Sequence, residues 1–379
     1  MKVVLTGSGS GGHFYPLIAV AERIRAEALE RKMLDPELIY IGPEPFDRKA
    51  LEEQNITYLH TPAGKVRRYA SILNILDGFK TFFGIIGAIR QLYAVYPDVV
   101  FSKGGYASFP TVVAARLLRI PVIIHESDAA PGRVNKYAAK FARAIGIAHP
   151  DAAKGFPGDV QDKIALVGNP IRHDIETTAP EGGHEFLNLG NDVPTILVLG
   201  GSLGAQAIND ALLDALPLLV EHYNVIHQTG TDNLKGVEAL ANVRLKDTRY
   251  ENRYRAFGLL NALALRMASG ISSLIIARAG SGTIFEIASW GLPSILVPIP
   301  EEVSHDQTKN AFSYARSGAA IVMEQKNLTE HLLVSEVNRI MNDPNLRTQM
   351  STAAKSFARP DAAAKLAHII VDVALEHAD

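Results

Sequence analysis

His13 closes a run of small residues, Gly7, Ser8, Gly9, Ser10, Gly11 and Gly12, that follows an apolar stretch at the amino terminus. An imidazole titrates near neutral pH, so at a loop-to-helix junction it can serve as a polar cap or as a general base. Further on, His125, Glu126 and Asp128 place three titratable groups within residues 125–128. A metal is one reading of that cluster, but no His-x-x-x-His or similar ligand spacing accompanies it. A third group is Arg278-Ala279-Gly280-Ser281-Gly282-Thr283, followed by Glu286. Thr283 and Glu286 have the spacing of a capping box, in which Glu286 would satisfy a helix end. The other reading makes residues 280–283 an anion site, with the Glu286 carboxylate accepting hydrogen bonds from the vicinal hydroxyls of a ribose.

The glycine loops share one physical property. A strand, a glycine loop and a helix in succession bring backbone amides and the positive end of the helix dipole close to a ligand. Residues 7–13 and residues 200–205 (GGSLGA) both have this form. Neither is a P-loop, because no Gly-Lys-Ser/Thr follows, and the first only loosely resembles a dinucleotide fingerprint. Each alone is equally a tight βα turn. Two of them opposite one crevice would suit a ligand carrying a diphosphate.

The elements that must carry these loops are short β-branched runs. KVVLTG (2–7), DVVFSKGG (98–105) and PVIIHES (121–127) lie in the first half, and TILVLGGS (195–202), YNVIHQTG (223–230), SLIIARAG (273–280) and SILVPIP (294–300) in the second. Near-continuous Val, Ile and Leu without alternation marks strands covered on both faces, as in parallel α/β sheets. Leu17, Val20, Ile24 and Ala28 share one face of a helix expected to start near Pro16. Residues 169–194, rich in Pro, Gly and acids with weak periodicity, read as a linker. The expected fold is therefore α/β, with two Rossmann-like doubly wound domains facing a cleft and ligands beyond the carboxyl ends of the strands. The expected division is 1–172 and 173–357, with a last helix at about 358–379 that packs back on the first domain.

Length and composition set outer bounds. A chain of 379 residues accommodates two or three domains. Its 38 Lys and Arg against 40 Asp and Glu give a net charge of -2, which argues against a nucleic-acid partner. The absence of cysteine excludes disulfides, thiol nucleophiles and Cys-ligated metals. The amino terminus lacks a signal-peptide pattern, and the longest strongly apolar stretch, 81–89, is about half of a bilayer span. A cytosolic or surface-attached protein is expected.

The motifs GSGSGGHFYP (7–16), KGGYASFP (103–110), HESDAAPGRVNK (125–136), GNPIR (168–172), GGSLGAQAIN (200–209), HQTG (227–230), RAGSGTIFEIASWGLPSILVP (278–298) and DQTKNA (306–311) occur in this order along nearly the whole chain. In this the chain resembles the MurG family of peptidoglycan N-acetylglucosaminyltransferases, of GT-B architecture. The resemblance implies inverting transfer of GlcNAc from UDP-GlcNAc to the 4-hydroxyl of MurNAc in undecaprenyl-diphosphate-MurNAc-pentapeptide (lipid I), forming lipid II. It implies no cofactor and no bound metal. A base near the acceptor hydroxyl and positive electrostatics at the departing diphosphate are what such a displacement needs.

Carried onto this sequence, the resemblance makes His13 the leading base, with Asp128 its competitor and Glu126 beside them. Tyr106, His125 and Asn135 would line the acceptor site. Ser10, Gly11 and Gly12 fall in the donor-binding set, Gly11 and Gly12 also being the expected holders of the acceptor diphosphate. Arg172, Gly201, Ser202, Ser281, Gly282 and Thr283 would surround the donor diphosphate. Glu286 would take the ribose, and Asp306, Gln307 and Asn310 the GlcNAc hydroxyls, with uracil near residues 262–265. Three departures from the commoner pattern involve four positions: Asp128 for an amide, Asp306 for Gln or His, and Ser8 and Ser10 for Thr.

Residues 65–90 hold five basic residues and one acidic, with Ile72, Ile75, Leu76, Phe79, Phe83 and Ile86 at helical spacing. Such a helix either buries its stripe on its own sheet or lies in the headgroup region of an anionic membrane. The resemblance implies the second, hence a peripheral position on the cytoplasmic face of the cell membrane and other cell-wall synthesis proteins as partners. Two other functions fit the same fold: a GT-B enzyme acting on another lipid acceptor, and a non-hydrolysing UDP-GlcNAc 2-epimerase.

Overall fold

A computed structural model of the chain describes residues 1–7, 11–65, 73–201, 205–246, 248–303 and 306–378. Two compact units form, Met1–Arg172 with Arg359–Asp379, and His173–Ala358. Each is built on one sheet.

In the first unit the chain runs β1 (Lys2–Thr6), α1 (Gly11–Glu30), β2 (Glu37–Gly42), α2 (Arg48–Glu53), β3 (Thr57–His60), α3 (Leu73–Val95), β4 (Val99–Ser102), α4 (Phe109–Leu117), β5 (Val122–Glu126), α5 (Arg133–Ala139), β6 (Ala144–Ile147) and β7 (Ile164–Leu166). Among the described residues the strands pair in the order β3-β2-β1-β4-β5-β6-β7, all parallel. The second unit follows with α6 (Gly183–Phe186), β8 (Thr195–Leu199), α7 (Gln206–Leu219), β9 (Asn224–Gln228), α8 (Leu234–Leu245), β10 (Tyr254–Phe257), α9 (Ala262–Ile271), β11 (Ser272–Ala277), α10 (Ser281–Trp290), β12 (Ser294–Leu296), α11 (Gln307–Ala315), β13 (Ala320–Val322), α12 (Glu330–Met341) and α13 (Pro344–Phe357). Its strands, again parallel, take the order β10-β9-β8-β11-β12-β13. A last helix, α14 (Ala362–Ala378), returns to the first unit.

The continuous apolar runs follow from two covered faces. Val3 and Leu5 point into a core shared with Leu17, Val20 and Ile24 of α1 and with Leu366, Ile370 and Val371 of α14. Val4, between them, points the other way, against Ala88 and Leu92 of α3 and Val112 of α4. In the second unit Ile196 and Val198 of β8 meet Leu212 and Leu216 of α7.

Both sheets reverse strand order at one place, between β1 and β4 and between β8 and β11. At such a switch the two following loops diverge to opposite faces and open a crevice at the carboxyl edge. In the first unit the loops there begin at Gly7 and Lys103, and in the second at Gly200 and Arg278.

Two expectations need correction. The helix after the first loop starts at Gly11, not near Pro16, which lies inside it. Proline six residues into a helix forgoes only one early backbone bond, so it does not mark the start. Residues 173–194 are not a linker but part of the second unit. Ile175, Leu187 and Leu189 are buried, and the indole of Trp290 donates to the carbonyl of Ile175 at 2.8 Å. The segment's apolar residues are irregularly spaced, so they carry no period although they pack.

Candidate active site

In the first unit the carboxyl ends of β4 and β5 support a network of buried polar groups. Lys103, directly after β4, is fully buried, and its Nζ donates to His125 Nδ1 (2.6 Å), Ser127 Oγ (2.6 Å) and Asn169 Oδ1 (3.0 Å). His125 Nε2 donates to the carbonyl of Gly168 at 2.8 Å, so the ring is a neutral tautomer that accepts at Nδ1. Burial and the adjacent Lys103 cation hold its pKa well below the usual value.

Glu126 closes the loop after β5. Its carboxylate accepts from the amides of Asp128 (3.0 Å) and Gly132 (2.9 Å) and from Asn135 Nδ2 (2.9 Å). Burial and the nearby Asp128 push its pKa up to about 7 against these bonds. Asn135 also donates to the carbonyl of His125 at 3.1 Å, which ties α5 back to β5. Gly104 passes over this amide: a Cβ there would lie 2.7 Å from Asn135, and its φ of +73° suits only glycine.

His13 sits in the first turn of α1, where Nδ1 donates to the main-chain carbonyl of Lys103 at 3.2 Å. That bond leaves the lone pair on Nε2, the form a general base needs. Desolvation and the Lys103 cation lower the His13 pKa, while Asp128 and the carbonyl pull it up. The structure thus brings His13, His125, Glu126, Asp128 and Asn135 into one network. Tyr106 stands beside it at the end of the β4 loop, its ring 5.2 Å from Lys65 Nζ. Next to Tyr106 a cavity of about 370 Å³ is lined by Gly64, Thr81, Phe109, Arg133 and Val134. Lys103, Ser127 and Asn169 were not among the sequence candidates. A lysine closing a strand of Val and Phe was the available signal.

Gly11 and Gly12 open α1, and a Cβ at Gly12 would meet nothing. Arg172 lies over the Tyr15 ring of the same helix, 4.3 Å from its centroid. Ser8, Ser10 and Ser202 lie outside the described residues.

In the second unit α10 starts at Ser281, shortly beyond β11, with Gly280 as its cap. Cβ atoms at Gly280 and Gly282 would meet nothing within 4 Å, so the approach to these amides is open. Thr283 is inside the helix, which places Glu286 in its second turn, half-buried, and removes the capping-box reading. Gly201, after β8, is exposed at φ +77°. Arg278 donates to the carbonyls of Val297 (3.1 Å) and Pro298 (3.4 Å), holding the β12 end beside the α10 start. Asp306 is the cap residue of α11, and Gln307 Oε1 accepts from the amide of Ile299 at 3.1 Å. Asn310 is fully buried and donates to the carbonyl of Ala279 at 3.4 Å, beneath the loop instead of on its surface. Asn261 caps α9 by accepting from Ala264, and Leu260 N donates to Gln228 at 3.0 Å.

The stripe on α3 is largely exposed. Leu76 (55%), Phe79 (60%) and Phe83 (62%) face solvent together with Phe82 (58%), whereas Ala88 and Leu92 bury the opposite face. Ile86 is half-buried. Arg67, Arg68 and Ile72, and the side chain of Ile75, lie outside the described residues. Among the described residues no helix is long and apolar enough to cross a membrane, and no cluster of three His, Cys, Asp or Glu could hold a metal ion.

Two doubly wound parallel units with glycine loops at both switch points define a GT-B glycosyltransferase fold. Residues 3–147 match the Glycosyltransferase family 28 N-terminal domain and residues 195–366 the Glycosyltransferase family 28 C-terminal domain. A relative from Treponema denticola, 33% identical over 95% of this chain and 93% of its own length, is named UDP-N-acetylglucosamine--N-acetylmuramyl-(pentapeptide) pyrophosphoryl-undecaprenol N-acetylglucosamine transferase. A Clostridium novyi relative of the same name is 36% identical over 90% of this chain and 91% of its own. The crystal structure of Acinetobacter baumannii MurG aligns with a TM-score of 0.74 at 28% identity, covering 98% of this chain and 99% of that one. The chain belongs to glycosyltransferase family 28. A UDP-GlcNAc 2-epimerase from Neisseria meningitidis, at 16% identity and a TM-score of 0.68 over 99% of this chain and all of its own, shares the fold alone.

One buried group behind the second site gives a pH test. His227 of β9 bonds Tyr254 Oη (2.9 Å) and Asn209 Oδ1 (3.0 Å), and burial lowers its pKa to about 3. A histidine held neutral stabilises the fold above the unfolded value of about 6.5, and that contribution is lost as pH falls from there towards 3. Between pH 7 and pH 5 this one group should remove about 2 kcal/mol from the second unit. In urea unfolding, His227→Gln should shrink the pH 7-to-5 difference by that amount; an unchanged difference would mean that His227 titrates normally.

Proposed function

We propose that the chain transfers GlcNAc from UDP-GlcNAc to the 4-hydroxyl of MurNAc in undecaprenyl-diphosphate-MurNAc-pentapeptide, forming lipid II for peptidoglycan synthesis. The observation that carries this reading beyond the family is His13, held by its Nδ1 on the Lys103 carbonyl with the lone pair on Nε2. His13 Nε2 takes the proton of the acceptor hydroxyl as its oxygen attacks the anomeric carbon. The bond from that carbon to the diphosphate breaks in the same step, UDP leaves with the electron pair, and the anomeric configuration inverts.

The second unit takes the donor. Amides at Gly201 and at the start of α10, residues 281–283, receive the diphosphate, where the helix N-terminus stabilises developing negative charge. The family resemblance adds Ser202, Arg172, Ser10, Gly11 and Gly12 as donor contacts. Glu286 accepts from the ribose hydroxyls. Gln307, with Asp306, meets the sugar, while Asn310 supports the loop above it. Tyr106, His125, Glu126 and Asn135 shape the acceptor side. His125 acts through its neighbours, since both ring nitrogens are engaged within the protein, whereas Asn135 holds Glu126 and the β5 end through Nδ2.

The acceptor is a lipid, and the exposed aromatic face of α3 with its flanking cations suits an anionic bilayer surface. The protein would then sit peripherally on the cytoplasmic face of the cell membrane, beside other cell-wall synthesis proteins.

Purified protein with UDP-GlcNAc and a short-chain lipid I analogue should yield a product heavier by one GlcNAc residue. Diacylglycerol should give no product, and UDP-GlcNAc alone no UDP-ManNAc; either product would replace this function with one of the two others. His13→Ala should slow transfer roughly 100-fold or more with UDP-GlcNAc affinity retained. Turnover surviving in that variant and abolished in Asp128→Asn would move the base to Asp128. Glu286→Ala should raise the KM for UDP-GlcNAc, and a normal KM would remove the ribose contact. Replacing Lys65, Arg67 and Arg68 with Glu should weaken binding to vesicles containing phosphatidylglycerol; unchanged binding would remove the membrane surface from this segment.

A further inference from the structure

Lys103 is fully buried in the first site's network, and the displacement above gives it no task. Its polar atoms are all engaged. The amide donates to the carbonyl of Thr6 at the end of β1 (2.9 Å), the carbonyl accepts from His13 Nδ1 (3.2 Å), and the three ammonium protons go to His125, Ser127 and Asn169. Its Cβ lies 3.4 Å from where a Cβ of Gly7 would be. A cation with every donor spent inside the protein does not bind substrate. It does join four segments that are distant in the chain: the end of β1, the end of β4, the loop after β5 and the turn at residues 168–169.

We propose that Lys103 is a positioning residue for the transfer, its ammonium clamping the end of β4 to β5, the loop after it and the turn at residues 168–169 so that its main-chain carbonyl holds the His13 imidazole with Nε2 as the accepting nitrogen. The proposal rests on the reading that His13 is the base. A neutral carbonyl here does what a carboxylate does in a hydrolase triad: it selects the tautomer and fixes the ring plane. Placement of this kind is worth a large factor in rate, because a shift of about 1 Å in a reacting group can cost 10²-fold.

The charge has a second effect. The titratable groups facing this centre are His13 from α1, Lys103 after β4, and His125, Glu126 and Asp128 from β5 and its loop. Burial lowers the Lys103 pKa to about 7, while Glu126 and Asp128 pull it up. On the acid side of neutrality Lys103 is therefore charged, and there it opposes protonation of His13, whereas Asp128 favours it. Removing the cation should raise the His13 pKa.

The test is transfer by the full chain, with UDP-GlcNAc and a short-chain lipid I analogue, between pH 5 and pH 9. Lys103→Met and Lys103→Gln should lower kcat about 10- to 100-fold with the KM for UDP-GlcNAc within about twofold. In both, the acidic limb of kcat/KM should move to higher pH, a change that simple loosening would not produce. Asn169→Ala keeps the cation and removes one strut, so it should lower kcat less and leave the limb in place. A wild-type kcat and limb in Lys103→Gln, with His13→Ala inactive, would overturn the proposal and leave the base assignment standing. An active His13→Ala would instead remove the base assignment and the proposal with it. If Lys103→Met does not fold, the other two variants decide, and a normal kcat in both overturns it.

Discussion

Within each sheet the described strands are all parallel, and this constraint sets where chemistry can occur. A parallel sheet needs a helix to return the chain after each strand, so the loops entering those helices collect along its carboxyl edge. Helix N-termini collect there too, with their unpaired amides. At the switch points β1/β4 and β8/β11 these loops are short of side chains: Gly7 and Gly104–Gly105 in one unit, Gly200–Gly201 and Gly280 in the other. The consequence is two sheet edges at which glycine main chain lies beside helix N-termini. An anion held by amide dipoles requires little reorganisation as its charge grows, which suits a departing diphosphate.

Main chain alone cannot titrate near neutral pH, and the first unit adds titratable side chains to its edge at a cost. It buries Lys103, His125 and Glu126 beside half-buried Asp128 and His13, and satisfies most of them with hydrogen bonds that cross from one strand end to the next. Buried ions lower stability unless they are paired and hydrogen-bonded. What the arrangement yields is opposed influence on a single imidazole, one cation and one carboxylate acting in opposite senses on His13. The buried His227 of the second unit lies behind the loops, neutral, as part of the scaffold.

Much of the fold could be read from local composition, because strands covered on both faces leave an unbroken apolar trace. VVFS, VIIHE and TILVL all became strands, and Leu17, Val20, Ile24 and Ala28 are all buried. Short strands such as β7 (IAL) and β13 (AIV) left too little trace. Residues 173–194 misled because packing there depends on Trp290, more than a hundred positions away. Glu286 illustrates the limit of spacing: Thr283 and Glu286 fit a capping box, but the helix begins two residues before Thr283. The stripe on α3 showed a helical face without showing where it points; only the exposure of Phe79 and Phe83 settles that. Lys103 was visible as a residue, yet its meaning was not, since its partners lie 22, 24 and 66 positions away.

If backbone amides at helix N-termini hold the donor diphosphate, calorimetric titration of the full chain with UDP and with uridine, each in the presence of EDTA, should show UDP binding at least tenfold more tightly than uridine, with the chelator leaving this margin intact. Equal affinities, or a margin that vanishes with EDTA and returns with a divalent cation, would contradict this account.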